Sequence, residues 1–169
     1  VDQTGRSVTG SIDLPPGCYT VSLSVTVTDR DSGTSLPVSA STGTGVDVYA
    51  PAFRAPIKDN ERNIVKYGNV LPVKVVLTSQ CAPGTTISTP SLFVVLYKGN
   101  VGETIDGTYV VTESVSSADT GQEMRTADGG YIYNLSTKSL VQGSDYTVKI
   151  RVGSITGPVI LMGLIQPKK

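Results

Sequence analysis

Alternation over Val70–Leu77 is the feature that most restricts what this chain can become. On a strand, Leu71, Val73, Val75 and Leu77 share one face, and Val70, Pro72, Lys74 and Val76 share the other. A period of two that sets four aliphatic side chains on one side predicts a strand lying against a core. Gly68-Asn69 ahead of it is turn chemistry, because both residues tolerate left-handed backbone angles. Pro72 has no N–H for a ladder bond, so either the strand is an edge or Pro72 faces an unpaired side.

The same period recurs along the chain. In Cys18–Asp29, Tyr19, Val21, Leu23, Val25 and Val27 alternate with Thr and Ser, which predicts a half-buried antiparallel strand. Asp29-Arg30-Asp31-Ser32-Gly33 reads as a hairpin turn. Thr34–Ala40 returns from it, Val46–Tyr49 follows as a further strand, and Val8–Ile12 precedes the pair. Ser91–Lys98 is apolar on both faces and is expected at the centre of a sheet. Further strands are predicted over Tyr109–Val115, Tyr131–Leu135, Asp145–Val152 and Val159–Ile165. No stretch carries a helical period. Short strands separated by turns at roughly 8–12-residue intervals predict an all-β chain of immunoglobulin-like β-sandwiches, with antiparallel strands and essentially no helix.

Three segments follow. Residues 1–50 read as a partial immunoglobulin-like module. Residues 51–63, with Pro51, Pro56 and the charged run Lys58-Asp59-Asn60-Glu61-Arg62, read as a stiff connector. Residues 64–169 read as a sandwich domain.

Composition narrows the chemistry. Fourteen basic and fourteen acidic residues cancel, which argues against nucleic acid and anionic membranes as partners. No apolar run approaches the ~18 residues of a membrane helix, so no membrane insertion is expected. Histidine is absent, which removes the commonest general base and the commonest metal ligand. Cys18 and Cys81 lack metal-site spacing; they either bridge or stand as separate thiols, and the sequence alone leaves both open. No other cofactor is indicated, but Asp29 and Asp31 place two carboxylates in one loop, where calcium is the candidate ion and ordinary turn chemistry the plainer reading. Tyr131, Tyr133 and Tyr146 serve either as a sugar-stacking platform or as core. Glu103, Asp106, Glu113, Asp119 and Glu123 contain no motif that selects a glycosidase pair, so no enzyme is expected.

Two resemblances add to this. Leu14-Pro15-Pro16-Gly17-Cys18-Tyr19-Thr20-Val21, Val25–Gly33 and Val46–Tyr49 resemble the C-terminal half of a PKD repeat, an immunoglobulin-like module of extracellular proteins. The front half of such a repeat, with its Asp-Phe-Gly-Asp-type motif, has no counterpart, so the sequence reads as beginning in mid-domain. Residues 51–169 resemble the PxKF domain, a small β-sandwich of bacterial secreted and cell-surface proteins. The matching residues are Phe53, Pro56-Ile57, Val65-Lys66-Tyr67-Gly68, Leu71-Pro72-Val73-Lys74-Val75, Ser116-Ser117-Ala118-Asp119-Thr120, Met124-Arg125, Tyr131-Ile132-Tyr133-Asn134-Leu135, Lys138 and Tyr146-Thr147-Val148. Val75 stands where the name-giving Phe would be. The resemblances imply an extracellular or cell-surface location and carry over no catalytic residue.

The function expected is a non-catalytic spacer or assembly module of a multidomain surface protein, a filament or adhesin component completed by strand addition from a neighbour. Its partners would be neighbouring domains or copies of the same protein. The alternative is an accessory polysaccharide- or protein-binding module of a secreted hydrolase.

Overall fold

A computed structural model describes residues 11–28, 31–43, 45–104, 107–117, 119 and 121–169. The described residues form thirteen strands and no helix. Nine of the strands build a two-layer sandwich. One layer is ordered β10 (Arg125–Ala127), β11 (Gly130–Ser136), β7 (Val70–Thr78), β5 (Ala50–Arg54). The other is ordered β6 (Arg62–Lys66), β13 (Val159–Lys168), β12 (Tyr146–Val152), β8 (Leu92–Lys98), β9 (Thr108–Val110). Neighbouring strands are antiparallel, except that β6 runs parallel to β13.

The alternating faces do what their period requires. Leu71, Val73, Val75 and Leu77 of β7 are buried between the layers, opposite Leu92, Val94 and Leu96 of β8 and Tyr146, Val148 and Ile150 of β12. Gly163 on β13 makes room for this core, because a Cβ there would lie 3.0 Å from the Phe53 ring and 3.1 Å from Ile57. Strand β7 is internal, yet Pro72 is accommodated: β11 pairs with Val70–Val75, whereas β5 begins pairing only at Lys74. The side of Pro72 turned toward β5 therefore has no ladder partner, the second of the two placements expected.

The five-stranded layer also buries part of its outer face. Lys149 is fully buried there, its ammonium donating to the Glu103 carbonyl at 3.0 Å and lying 4.9 Å from the centre of the Tyr97 ring. The segment after β8 folds back over this face: Val101 N–H donates to the Thr147 hydroxyl, which donates to the Gly99 carbonyl.

Three sequence expectations are corrected. Residues 51–63 are no connector: Pro51–Arg54 belong to β5, paired with β7, and Arg62–Asn63 open β6, paired with β13. Prolines and a charged run read as a connector, but edge strands accept both; the packing of Phe53 and Ile57 against a domain, expected of a stiff segment, is found, as both enter the core. The predicted strand over Tyr109–Val115 shortens to β9 plus an isolated bridge from Ser114 to Leu135. The third concerns the apolar stripe of Cys18–Asp29, which is not half-buried. It lies in a two-stranded ribbon in which β1 (Gly17–Tyr19) pairs with β4 (Val46–Val48) and β2 (Ser22–Val25) with β3 (Val38–Ser41). No third strand or second layer among the described residues covers it, so every residue of β2 and β3 is exposed. Of the predicted strand Val8–Ile12, residues 8–10 lie outside the described residues, and Ser11 and Ile12 are exposed and not in a strand.

Candidate functional site

The ribbon meets the sandwich at one rung. Cys18 and Asp47 are cross-strand partners in the β1–β4 pair, and both reach the loop that follows β7. Cys18 forms a disulfide with Cys81. The Asp47 carboxylate accepts from the Ser79 hydroxyl and, at 2.8 Å, from the Gln80 N–H. The Ser79 hydroxyl in turn accepts from the Ala82 N–H at 2.8 Å, so residues 79–82 wrap around the anchor. Gly45 lets the returning strand pass this close: a Cβ there would stand 2.7 Å from the Cys18 sulfur and 2.9 Å from that of Cys81.

The bonds from Ser79, then from the Gln80 and Cys81 N–H groups, outweigh partial desolvation and hold the Asp47 carboxyl below its ordinary value of 3.8. A depressed folded pKa means that this tie is at full strength above pH 3.8 and is lost as pH falls through the lower folded value. We expect Asp47→Ala at neutral pH to cut the hydrogen-exchange protection of the Gln80 amide toward that of an open loop, with Val73 and Val148 unaffected. Unchanged Gln80 protection would show that the carboxylate does not hold the loop.

Away from the clamp the ribbon has two unlike faces. Leu23 lies opposite Ala40 and Val25 opposite Val38, and cross-strand partners share a face. Val21 and Val27 continue that face by alternation, while Ser22, Ser24, Ser39 and Ser41 occupy the reverse, where the Ser39 hydroxyl donates to that of Ser24. Leu23 is 62% exposed and Val38 72%. No charged residue occurs between Leu14 and Thr28 or between Ser32 and Val46. The charged residues that bound these stretches in the sequence are Asp13, Asp29, Arg30, Asp31 and Asp47.

The other candidates from the sequence fall elsewhere. Asp29 lies outside the described residues, and Asp31 is an exposed residue at the tip turn. Among the described residues no cluster of three His, Cys, Asp or Glu side chains is placed to hold a metal. Tyr131, Tyr133 and Tyr146 are buried in the core, and their hydroxyls bond Pro90 and Gly121 carbonyls and the Val141 N–H. None of the three offers a ring face to a sugar. Asp106 lies outside the described residues, and Asp119 is enclosed by Ser114, Arg125 and the Asn134 N–H. One hollow of about 410 Å³ has Asp59, Asn60 and Glu103 on its rim beside Val159–Met162.

No family model, curated protein or solved structure matches the chain. The disulfide is compatible with an oxidising, extracellular compartment. Among the described residues no helix is long and apolar enough to cross a membrane.

Sequence reasoning paired neither Asp47 with Ser79 nor Lys149 with Tyr97. The only local signal at the first was Gly45, whose lack of a side chain marks a close approach. The second pairing depends on cross-strand register, which alternation does not supply.

Proposed function

We propose that this chain is a non-catalytic spacer and assembly module of an extracellular multidomain protein: a rigid sandwich that presents a clamped β-ribbon. One observation carries the reading: a covalent tie and a carboxylate tie join the same ribbon rung to the same sandwich loop. A two-stranded ribbon is marginal by itself in water, so two anchors at its base serve display and load transfer. Tension entering at residue 17 passes through Cys18–Cys81 into the sandwich without first peeling β4 and β5. At the far end, β13 is gripped on both sides, by β12 and by parallel β6, so pulling on residue 169 shears two ladders together. The resemblances of residues 1–50 and 51–169 to PKD and PxKF modules point to the same setting, as does a sequence rich in Ser and Thr with no net charge. The burial of the three tyrosines leaves the polysaccharide-binding alternative without its platform.

Extension of single molecules held at both ends tests this. The bridge shields a segment of 63 residues, so reduction should lengthen the released contour by roughly 200 Å at ~3.5 Å per residue. It should also add a low-force ribbon event ahead of the sandwich event. A sandwich that yields at the same low force as the ribbon, oxidised or reduced, would contradict a role in carrying tension.

A further inference from the structure

We infer that the apolar face of the ribbon docks on the same face of a second copy of this chain, forming a closed two-fold dimer. The inference rests on the assembly reading above and names its partner. Val21, Leu23, Val25, Val27 and Val38 are 44–72% exposed and lie along one side of the ribbon with Ala40. Leu36, 87% exposed, lies between β3 and the tip. At on the order of 100 Å² per side chain, the face reaches the ~300–600 Å² of the largest apolar patch on an ordinary monomer.

Three features select a second copy. First, the ribbon body carries no charge, so a charged partner finds nothing complementary on it, whereas two identical uncharged faces meet without repulsion. Second, the face is alike on both copies, aliphatic and two strands wide. Two such ribbons stacked ~10 Å apart make a four-stranded, two-layer packing, with the Ser faces outward. Third, the area suffices. Two faces together bury roughly 1,000–1,200 Å², the lower bound for a specific interface, which predicts a reversible dimer in the micromolar range. A lipid surface fits less well, because an open ribbon would bring unpaired edge N–H and C=O groups into hydrocarbon, and β2 and β3 carry no cation for anionic headgroups. Face-to-face closure by a two-fold axis also stops at two copies, unlike addition along the open edges.

Sedimentation of the oxidised chain from about 1 to 500 µM tests this, with Leu23→Asp and Ser24→Asp compared. The two substitutions add the same charge to adjacent residues of one strand, on opposite faces. We expect the wild type and Ser24→Asp to pass from monomer to dimer, and Leu23→Asp to weaken the dimer by about 30-fold or more, the effect of losing a central anchor. Leu23 makes no part of the sandwich core, so the variant should melt as the wild type does. A wild type that stays monomeric at 500 µM overturns the inference, while the contour-length result, measured on single molecules, leaves the spacer reading intact. So does an open series of higher oligomers, which would mean edge pairing, or equal loss in both variants. Monomers that float with neutral phosphatidylcholine vesicles would assign the face to lipid and overturn it as well.

Discussion

Asp119→Ala is expected to lower the unfolding free energy by about 3 kcal/mol, as measured by urea denaturation at pH 7. The carboxylate side chain is fully buried and accepts from the Ser114 hydroxyl, the Arg125 guanidinium and, at 3.1 Å, the Asn134 N–H. Hydrogen bonds to a charged group contribute about 1.5–3 kcal/mol each in net terms, and an orphaned buried donor costs about 1–3. Removing one partner of a buried ion pair costs about 3–5 kcal/mol. Arg125 is about a third exposed and regains water, which places the expectation at the low end. The carboxylate also joins elements: Ser114 forms the bridge to Leu135, Arg125 opens β10 and Asn134 belongs to β11.

Its titration gives a second readout. Desolvation pushes the Asp119 carboxyl up, but the bonds from Ser114, Asn134 and Arg125 together outweigh it and hold the group below 3.8. Because the folded value is depressed, the stabilisation is complete above pH 3.8 and disappears as pH falls through the lower folded value. Asp119→Asn should therefore flatten the acid limb of the stability curve over that range. If the curves of the wild type and of the Asp119→Asn variant run parallel from about pH 5 to 2, Asp119 has no part in the acid response. An alanine variant within about 0.5 kcal/mol of wild type would class it with ordinary surface residues.

Reduction of Cys18–Cys81 is the second large effect. Closing a loop of 63 residues restrains the unfolded chain by about 4 kcal/mol in the chain-entropy account. The native state recovers part of this on reduction, because the freed ribbon gains motion that the sandwich does not share. The net loss expected is about 2–4 kcal/mol, read as a shift of the urea midpoint in Cys18→Ser/Cys81→Ser. Before global unfolding, proteases should cut the double variant within residues 20–43 and spare the sandwich. Equal midpoints and an intact ribbon would show that Asp47 and its partners suffice as the anchor.

How far the sequence reaches depends on how local each determinant is. Alternation in Val70–Leu77, Ser91–Lys98 and Asp145–Val152 needs only the two-residue pleat, and each segment holds a strand, the first with its aliphatic face buried as expected. Where partners matter, the sequence stopped short. Pro51 and Pro56 look alike as punctuation, but Pro51 sits opposite Leu77 in β5 while Pro56 follows the end of that strand. The disulfide, the Asp47 tie and the burial of Lys149 each join segments far apart along the chain.

By itself, then, the sequence determined an all-β chain, the apolar stripes along its strands, and the absence of histidine chemistry, because side-chain period and composition are properties of single segments. Only the tertiary structure decided which apolar stripes are covered. Two segments carry the same alternation: that of β7 faces a second layer and is buried, whereas that of β2 has one neighbouring strand and remains open to solvent. Burial is a relation between layers, and no single strand encodes whether a second layer will come to meet it.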